Sequence, residues 1–218
     1  AVERARKFGT RLHIAHLSSA TELDLLSNRS LDEKRITAEV TPNHLWFDDR
    51  DYDTMGNRIK CNPAIKSNDD RLALWAALYD GLIDTIATDH APHAANEKFV
   101  DNYFKCPSGF PSVQHSLAMM LKMYEEGIFT MEQIVQMMCH NPAILFRINK
   151  RGFIREGYYA DLAIVGRKPL TIGKDNILYK CGWTPYEGIG LNYGVTHTFV
   201  NGELVYANGS FNDEARGK

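Results

Sequence analysis

LIDTIATDHAPHAANEK, residues 82–98, runs from a short apolar segment directly into a polar turn. Residues 83–87 read as a strand, and the turn after it holds Asp89, His90 and His93, with Pro92 between the two imidazoles. One carboxylate and two imidazoles just past a strand end suit an α/β fold. In such folds the loops at the carboxyl ends of parallel strands converge on one face and carry the chemistry.

Upstream, the same arrangement recurs. Residues 11–15 (RLHIA) read as a strand followed by His16. Ser19 and Glu22 then form a capping-box pattern opening a helix toward Leu26. Ile36–Val40 reads as a second strand, with Glu39 near its end and His44 just beyond Thr41 and Pro42. Asn68, Asp69 and Asp70 are expected to cap a helix whose Leu72, Trp75, Ala76 and Tyr79 fall on one face and which closes at Gly81. Further helices are predicted over 112–126 and 130–139. Strands alternating with helices predict a parallel α/β sheet or barrel.

From about Gly152 the pattern changes. ADLAIV (160–165) and VTHTFV (195–200) alternate as strands, and Asn201-Gly202 is a two-residue hairpin signal before another strand at 203–206. The expected organisation is an α/β body over residues 1–150 and a small β-rich subdomain over 151–218.

The composition excludes several classes of function. The 218 residues are 44% hydrophobic and 24% charged with a net charge of −2, so neither nucleic acid nor an anionic membrane is an expected partner. No stretch approaches the roughly 18 apolar residues of a membrane span. Cys61, Cys106, Cys139 and Cys181 are widely spaced and form no CxxC pair. They read as reduced thiols of a cytoplasmic protein.

A lone histidine after a strand is ordinarily structural. Glu39 has an ordinary reading as a loop cap, and Asp89 as a helix cap. Three successive strands ending in His16, Glu39 with His44, and Asp89 with His93 point instead to one shared site. Imidazole nitrogen with carboxylate oxygen suits a borderline divalent ion such as zinc.

Five segments carry a resemblance: HIAHLSSATEL (13–23), AEVTPNHL (38–45), CNPAIK (61–66), ATDHAPH (87–93) and GYYADLAIV (157–165). Together they resemble the dihydroorotase family of the amidohydrolase superfamily, metal-dependent hydrolases of cyclic amides. The fold this implies is the C-terminal part of a (β/α)8 TIM barrel followed by a β-rich subdomain that forms a composite sandwich in the full-length enzyme. The activity it implies is the reversible, zinc-dependent cyclisation of N-carbamoyl-L-aspartate to (S)-dihydroorotate in de novo pyrimidine biosynthesis.

The resemblance also implies residue roles. His16 matches a metal-binding imidazole, and Asp89 a metal-binding aspartate that also moves the catalytic proton. His93 and Asn62 match residues that hold the substrate's carboxylate and ring. Gly109, Phe110 and Pro111 match the loop along the pyrimidine ring. Glu39 and His44 belong to the strand-seven motif, where some relatives bind an additional zinc, whereas His13 and His90 are assigned structural roles. The full-length enzyme is expected to hold two zinc ions and to form a homo-oligomer.

Allantoinase and dihydropyrimidinase share parts of this pattern but usually lack the second histidine of DHAPH, which favours dihydroorotase. The family's remaining ligands are an HxH pair followed by a substrate-binding arginine, a carboxylated lysine and a further histidine. No HxH occurs in this sequence. The chain therefore reads as the C-terminal portion of a longer enzyme, inactive alone. A non-catalytic, scaffold-type relative is the alternative, disfavoured because His16, Asp89, His93 and Asn62 are all retained.

Overall fold

Strand β2 (Ile36–Val40) is the centre of a three-stranded parallel sheet in the order β1-β2-β3, with β1 at Leu12–Ile14 and β3 at Thr85–Ile86. Leu12 pairs with Ile36 and Ile14 with Ala38, while Glu39 pairs with Thr85. Each strand lies beside the one before it in the chain, the order in which a barrel is laid down. Alternation along ITAEV turns Ala38 and Val40 to a face where both are fully buried, leaving Thr37 and Glu39 on the other.

The structure is a computed structural model that describes residues 1–215. Its contacts form two compact units, one of residues 1–116 with 173–187, the other of residues 117–172 with those from 188 onward. The sequence-based boundary at residue 150 falls inside the second unit.

In the first unit the longest helix is Asn68–Tyr79. Its cap is Ser67 rather than a residue of the 68–70 run. The Asp70 amide donates to Ser67 Oγ (3.2 Å) and the Ser67 amide to Asp70 Oδ2 (3.3 Å). The face that Leu72, Trp75, Ala76 and Tyr79 share is not the most buried one. Leu74, Ala77 and Leu78 are buried, whereas Leu72 and Tyr79 are 45% and 49% exposed. Both sets have helical spacing, so periodicity alone does not choose between them. Trp75, half-buried, donates from Nε1 to the Leu45 carbonyl at 2.9 Å.

The segment after β1 is a 3₁₀ turn, Ala20–Leu25, rather than an α-helix. Glu22 reaches the Ser18 amide (3.5 Å) and not that of Ser19, so the capping box does not close. The Ala20 amide donates instead to Asp70 Oδ1 at 2.8 Å, which ties this turn to the start of the long helix.

Helix Ser116–Glu125, in the second unit from Leu117 onward, begins four residues later than expected. Helix Met131–Val135 is capped by Thr130 and Gln133, widens to a π turn at Gln136–His140, and continues as Asn141–Leu145. Pro142 explains the widening, because it has no N–H to continue the regular ladder. An antiparallel sheet follows in the order β4-β5-β6-β7, at Leu162–Thr171, Gly190–Val200, Glu203–Ala207 and Ser210–Phe211. Asn201 (φ 52°) and Gly202 (φ 84°) form the expected tight hairpin. Asn208-Gly209 repeats the device between β6 and β7, a signal the sequence reading passed over.

No helix among the described residues is long and apolar enough to cross a membrane.

Candidate active site

His16 follows β1 and Asp89 follows β3, and both have left-handed backbone, with φ of 38° and 43°. Within the first unit they are the described non-glycine residues with positive φ. Such a conformation is uncommon outside glycine, although Asp and His tolerate it better than most. Residues held this way cluster at functional sites, where a strand-end side chain must be aimed rather than continue the chain's course.

Both residues also carry unsatisfied donor atoms. His16 Nδ1 is buried without a hydrogen-bond partner. No hydrogen bond or ion pair links the Asp89 carboxylate to another described residue. A buried orphan nitrogen and an unpaired carboxylate oxygen are the donor types a divalent ion takes, so they fit part of a zinc site. Among the described residues no group of three His, Cys, Asp or Glu side chains gathers to hold a metal by itself.

The crowded turn resolves into three separate directions. His90 Nδ1 accepts from the amides of Ser112 (3.0 Å) and Val113 (3.3 Å), and its ring lies 5.3 Å from that of Tyr179. Partial burial lowers its pKa, which keeps it the neutral acceptor those amides require. Ser112 Oγ donates to the Thr88 carbonyl at 2.6 Å and closes the turn from the other side. His93 Nε2 donates to the Ser108 carbonyl at 3.0 Å, which leaves Nδ1 for another partner. Asp89 takes part in neither of these contacts.

Gly109, Phe110 and Pro111 lie against the same turn. The Ala91 amide donates to the Phe110 carbonyl (3.3 Å), and the Phe110 ring is buried. Gly109 has φ 112°, and a Cβ there would fall 2.5 Å from the Ala91 Cβ, so only glycine allows this approach. Its amide donates to the Lys60 carbonyl at 2.9 Å, which joins the loop to the segment carrying Asn62. Asn62 is exposed, and its peptide bond to Pro63 is cis.

Glu39 and His44 have partners within the protein. Glu39 Oε2 lies 3.0 Å from His13 Nε2, and His13 Nδ1 lies 2.9 Å from Thr37 Oγ1, a polar cluster between β1 and β2. His44 is buried with both nitrogens engaged. Its Nε2 donates to the Pro63 carbonyl (3.0 Å), so its Nδ1 accepts from Thr41 Oγ1 (2.9 Å). In this geometry His44 supports the Asn62-Pro63 segment and presents no free ligand atom.

Burial pulls the His44 pKa down to about 4, with a smaller contribution from the nearby charge of Lys66. The unfolded chain takes up this proton near 6.5, whereas the folded chain resists it until about 4. Stability is therefore complete above pH 6.5 and lost as the pH falls toward 4, by on the order of 3 kcal/mol for this residue. Buried His115, also drawn down to about 4, acts in the same direction. Melting temperatures measured from pH 7.5 to 5 should fall steeply, and His44→Gln should flatten the slope. An unchanged melting temperature across that range would contradict this account.

Two groups of supporting residues escaped the sequence reading. Residues 173–187 return to the first unit and pack beneath the turn. Trp183 Nε1 donates to the His93 carbonyl (2.8 Å), Tyr179 Oη accepts from the Gln114 amide (2.8 Å), and the buried Tyr186 hydroxyl donates to Asn43 Oδ1. The available signal was the spacing of three aromatics with polar tips in YKCGWTPYEG (179–188). The other is Lys98, whose charged side chain is fully buried.

Residues 5–205 match the model of the amidohydrolase family. The chain belongs to that family. This amidohydrolase chain is 34% identical over 218 residues to a dihydroorotase of Pyrococcus furiosus, covering 100% of this chain and 50% of the relative. It is 37% identical over 213 residues to a dihydroorotase of Halobacterium salinarum, covering 94% and 48%. Among solved structures it resembles L-hydantoinase (dihydropyrimidinase) from Arthrobacter aurescens, with a TM-score of 0.89, 26% identity, and coverage of 96% of this chain and 48% of that one. D-hydantoinase from a Thermus species superposes with a TM-score of 0.85 at 21% identity, over 98% and 48%. The amidohydrolase chain thus spans about half the length of the relatives it matches, and its α/β fold is part of a TIM-barrel hydrolase.

Proposed function

We propose that this amidohydrolase chain provides the Asp89-bearing face of a dihydroorotase, which interconverts N-carbamoyl-L-aspartate and (S)-dihydroorotate. One observation carries the reading. A single turn presents an unpaired carboxylate at Asp89 and, four residues on, an imidazole at His93 whose Nε2 is already committed to Ser108. A proton carrier and a clamp for an anionic substrate group are what ring closure of a carbamoyl amino acid requires. The relatives named dihydroorotase, similar over nearly the whole chain, support the same choice.

His16 and Asp89 would hold zinc, completed by ligands elsewhere in the full-length protein. When bound, zinc supplies an activated water at neutral pH and polarises the ring carbonyl. In the hydrolytic direction Asp89 takes the proton from the attacking water as the C–O bond forms. It returns that proton to the ring nitrogen as the C–N bond breaks. Cyclisation runs the same transfers backwards. His93 offers Nδ1 to a substrate carboxylate, and the Ser108 carbonyl steadies the ring through Nε2. Asn62 and the backbone of Gly109 to Pro111 hold the ring edge. The enzyme is expected to be cytoplasmic and homo-oligomeric.

The likeness to L-hydantoinase favours a second reading, hydrolysis of hydantoin or dihydropyrimidine rings. His93 distinguishes the two, because the unsubstituted rings carry no exocyclic carboxylate. The full-length protein should turn over dihydroorotate in preference to dihydrouracil and hydantoin. In it, His93→Ala should raise KM for dihydroorotate about 10- to 100-fold with a smaller change in kcat. Equal turnover of all three rings, or an unchanged KM, would decide against dihydroorotase.

A further inference from the structure

Lys98 ends the short helix Ala95–Lys98, directly after the candidate site's turn, and is fully buried. Its Nζ donates to three carbonyls, those of Lys60 (2.7 Å), Pro107 (3.0 Å) and Gly109 (2.7 Å). Three N–H groups meet three acceptors, which is the full capacity of an ammonium. Burial draws its pKa down to about 8, so the ammonium is still the form present at neutral pH. Buried lysines are rare unless they are paired, and here the partners are backbone carbonyls.

The identity of those carbonyls gives the arrangement its meaning. Lys60 precedes the segment carrying Asn62, whereas Pro107 and Gly109 belong to the loop leading into Phe110 and Pro111. The Lys60 carbonyl also accepts from the Gly109 amide, so one oxygen receives a donor from the loop and another from Lys98. Nζ lies 6.0 Å from the centre of the Phe110 ring. Cys106 Sγ points back to the Lys98 carbonyl at 3.4 Å, fastening the same loop. A hydrophobic side chain of equal length would fill this space. It would also take the ammonium away from three converging carbonyls and leave the one of Lys60 with the Gly109 amide.

We infer that Lys98 is a positioning residue that sets the separation between the Asn62 segment and the Gly109–Phe110–Pro111 loop, and so the width of the slot that admits a flat cyclic-amide ring. This rests on the cyclic-amide reading for its substrate, but its structural half can be read independently. Lys98 touches neither the ring nor the reacting atoms. Its influence is on how well the slot is preformed.

The test uses the full-length, metal-loaded enzyme and Lys98→Met. The expected result is a KM for dihydroorotate at least tenfold higher, with kcat changed less than threefold and metal content unchanged. Hydrogen exchange should quicken at the Gly109 amide and stay unaltered at Ala38 in β2. Faster exchange at Gly109 with an unchanged KM would overturn the inference. So would a parallel loss of kcat, metal and Ala38 protection, which would mark Lys98 as a general stabiliser. If Lys98→Met does not fold, Lys98→Gln keeps two N–H donors and is judged by the same readouts. A wild-type protein inactive on dihydroorotate, dihydrouracil and hydantoin would instead sink the cyclic-amide reading, with no variant involved.

Discussion

Asp89→Asn in the full-length enzyme is expected to lower kcat about a thousandfold while leaving the fold intact, because proton transfer by a positioned group contributes roughly 10²- to 10⁴-fold. Asparagine is the informative substitution for two reasons. The backbone at Asp89 is left-handed (φ 43°), which asparagine tolerates and alanine does not. No hydrogen bond or ion pair holds the carboxylate among the described residues, so removing its charge strands no other group. The loss should therefore appear in turnover and metal content, with the melting temperature within a few degrees of the wild type. An Asp89→Asn enzyme that retains a tenth or more of the wild-type kcat would remove Asp89 from the proton path.

The largest effect on stability is expected at Lys34. Its Nζ donates to Asp84 Oδ1 (2.6 Å) and to the carbonyls of Gly81 (2.6 Å) and Leu82 (3.2 Å). Asp84 Oδ2 accepts from the Ala38 amide of β2 at 2.9 Å. The two side chains are only 1% and 4% exposed. This pair joins the chain just before β2 to the chain just before β3, and so contributes to the alignment of the two strands. Lys34→Met leaves a carboxylate buried without its counter-ion, at a cost of about 3–5 kcal/mol. Lys34→Met/Asp84→Leu should recover part of that loss, because it removes the stranded charge but leaves the Ala38 amide without its acceptor. Urea denaturation of the three proteins measures both quantities. A loss below about 1 kcal/mol for Lys34→Met would show that solvent reaches Asp84 after all.

Where a property depends on neighbours in the chain, it was legible in the sequence. Strand β2 has the limits expected from ITAEV, because alternation of β-branched and small residues defines a two-faced strand by itself. Asn201-Gly202 makes the expected hairpin because its two positive φ angles are intrinsic to those residue types. His16 and Asp89 stand just past their strands, as the order of apolar and polar residues required.

What those side chains do was decided by packing. His90 and His93 are three residues apart, yet one accepts from the amides of Ser112 and Val113 while the other donates to Ser108. Nothing in DHAPH says which is which. Glu39 meets His13 across β1 and β2, and His44 meets the Pro63 carbonyl nineteen residues on. Trp183 supports the His93 carbonyl from ninety residues away. The helix at Asn68–Tyr79 offered two faces of equal periodicity, and packing buried the one that carries Leu74, Ala77 and Leu78. Nothing in AANEK (94–98) sets Lys98 apart from an ordinary surface lysine. Only the meeting of three carbonyls from two distant segments makes its burial favourable, because a buried ammonium is tolerated only where every N–H finds an acceptor.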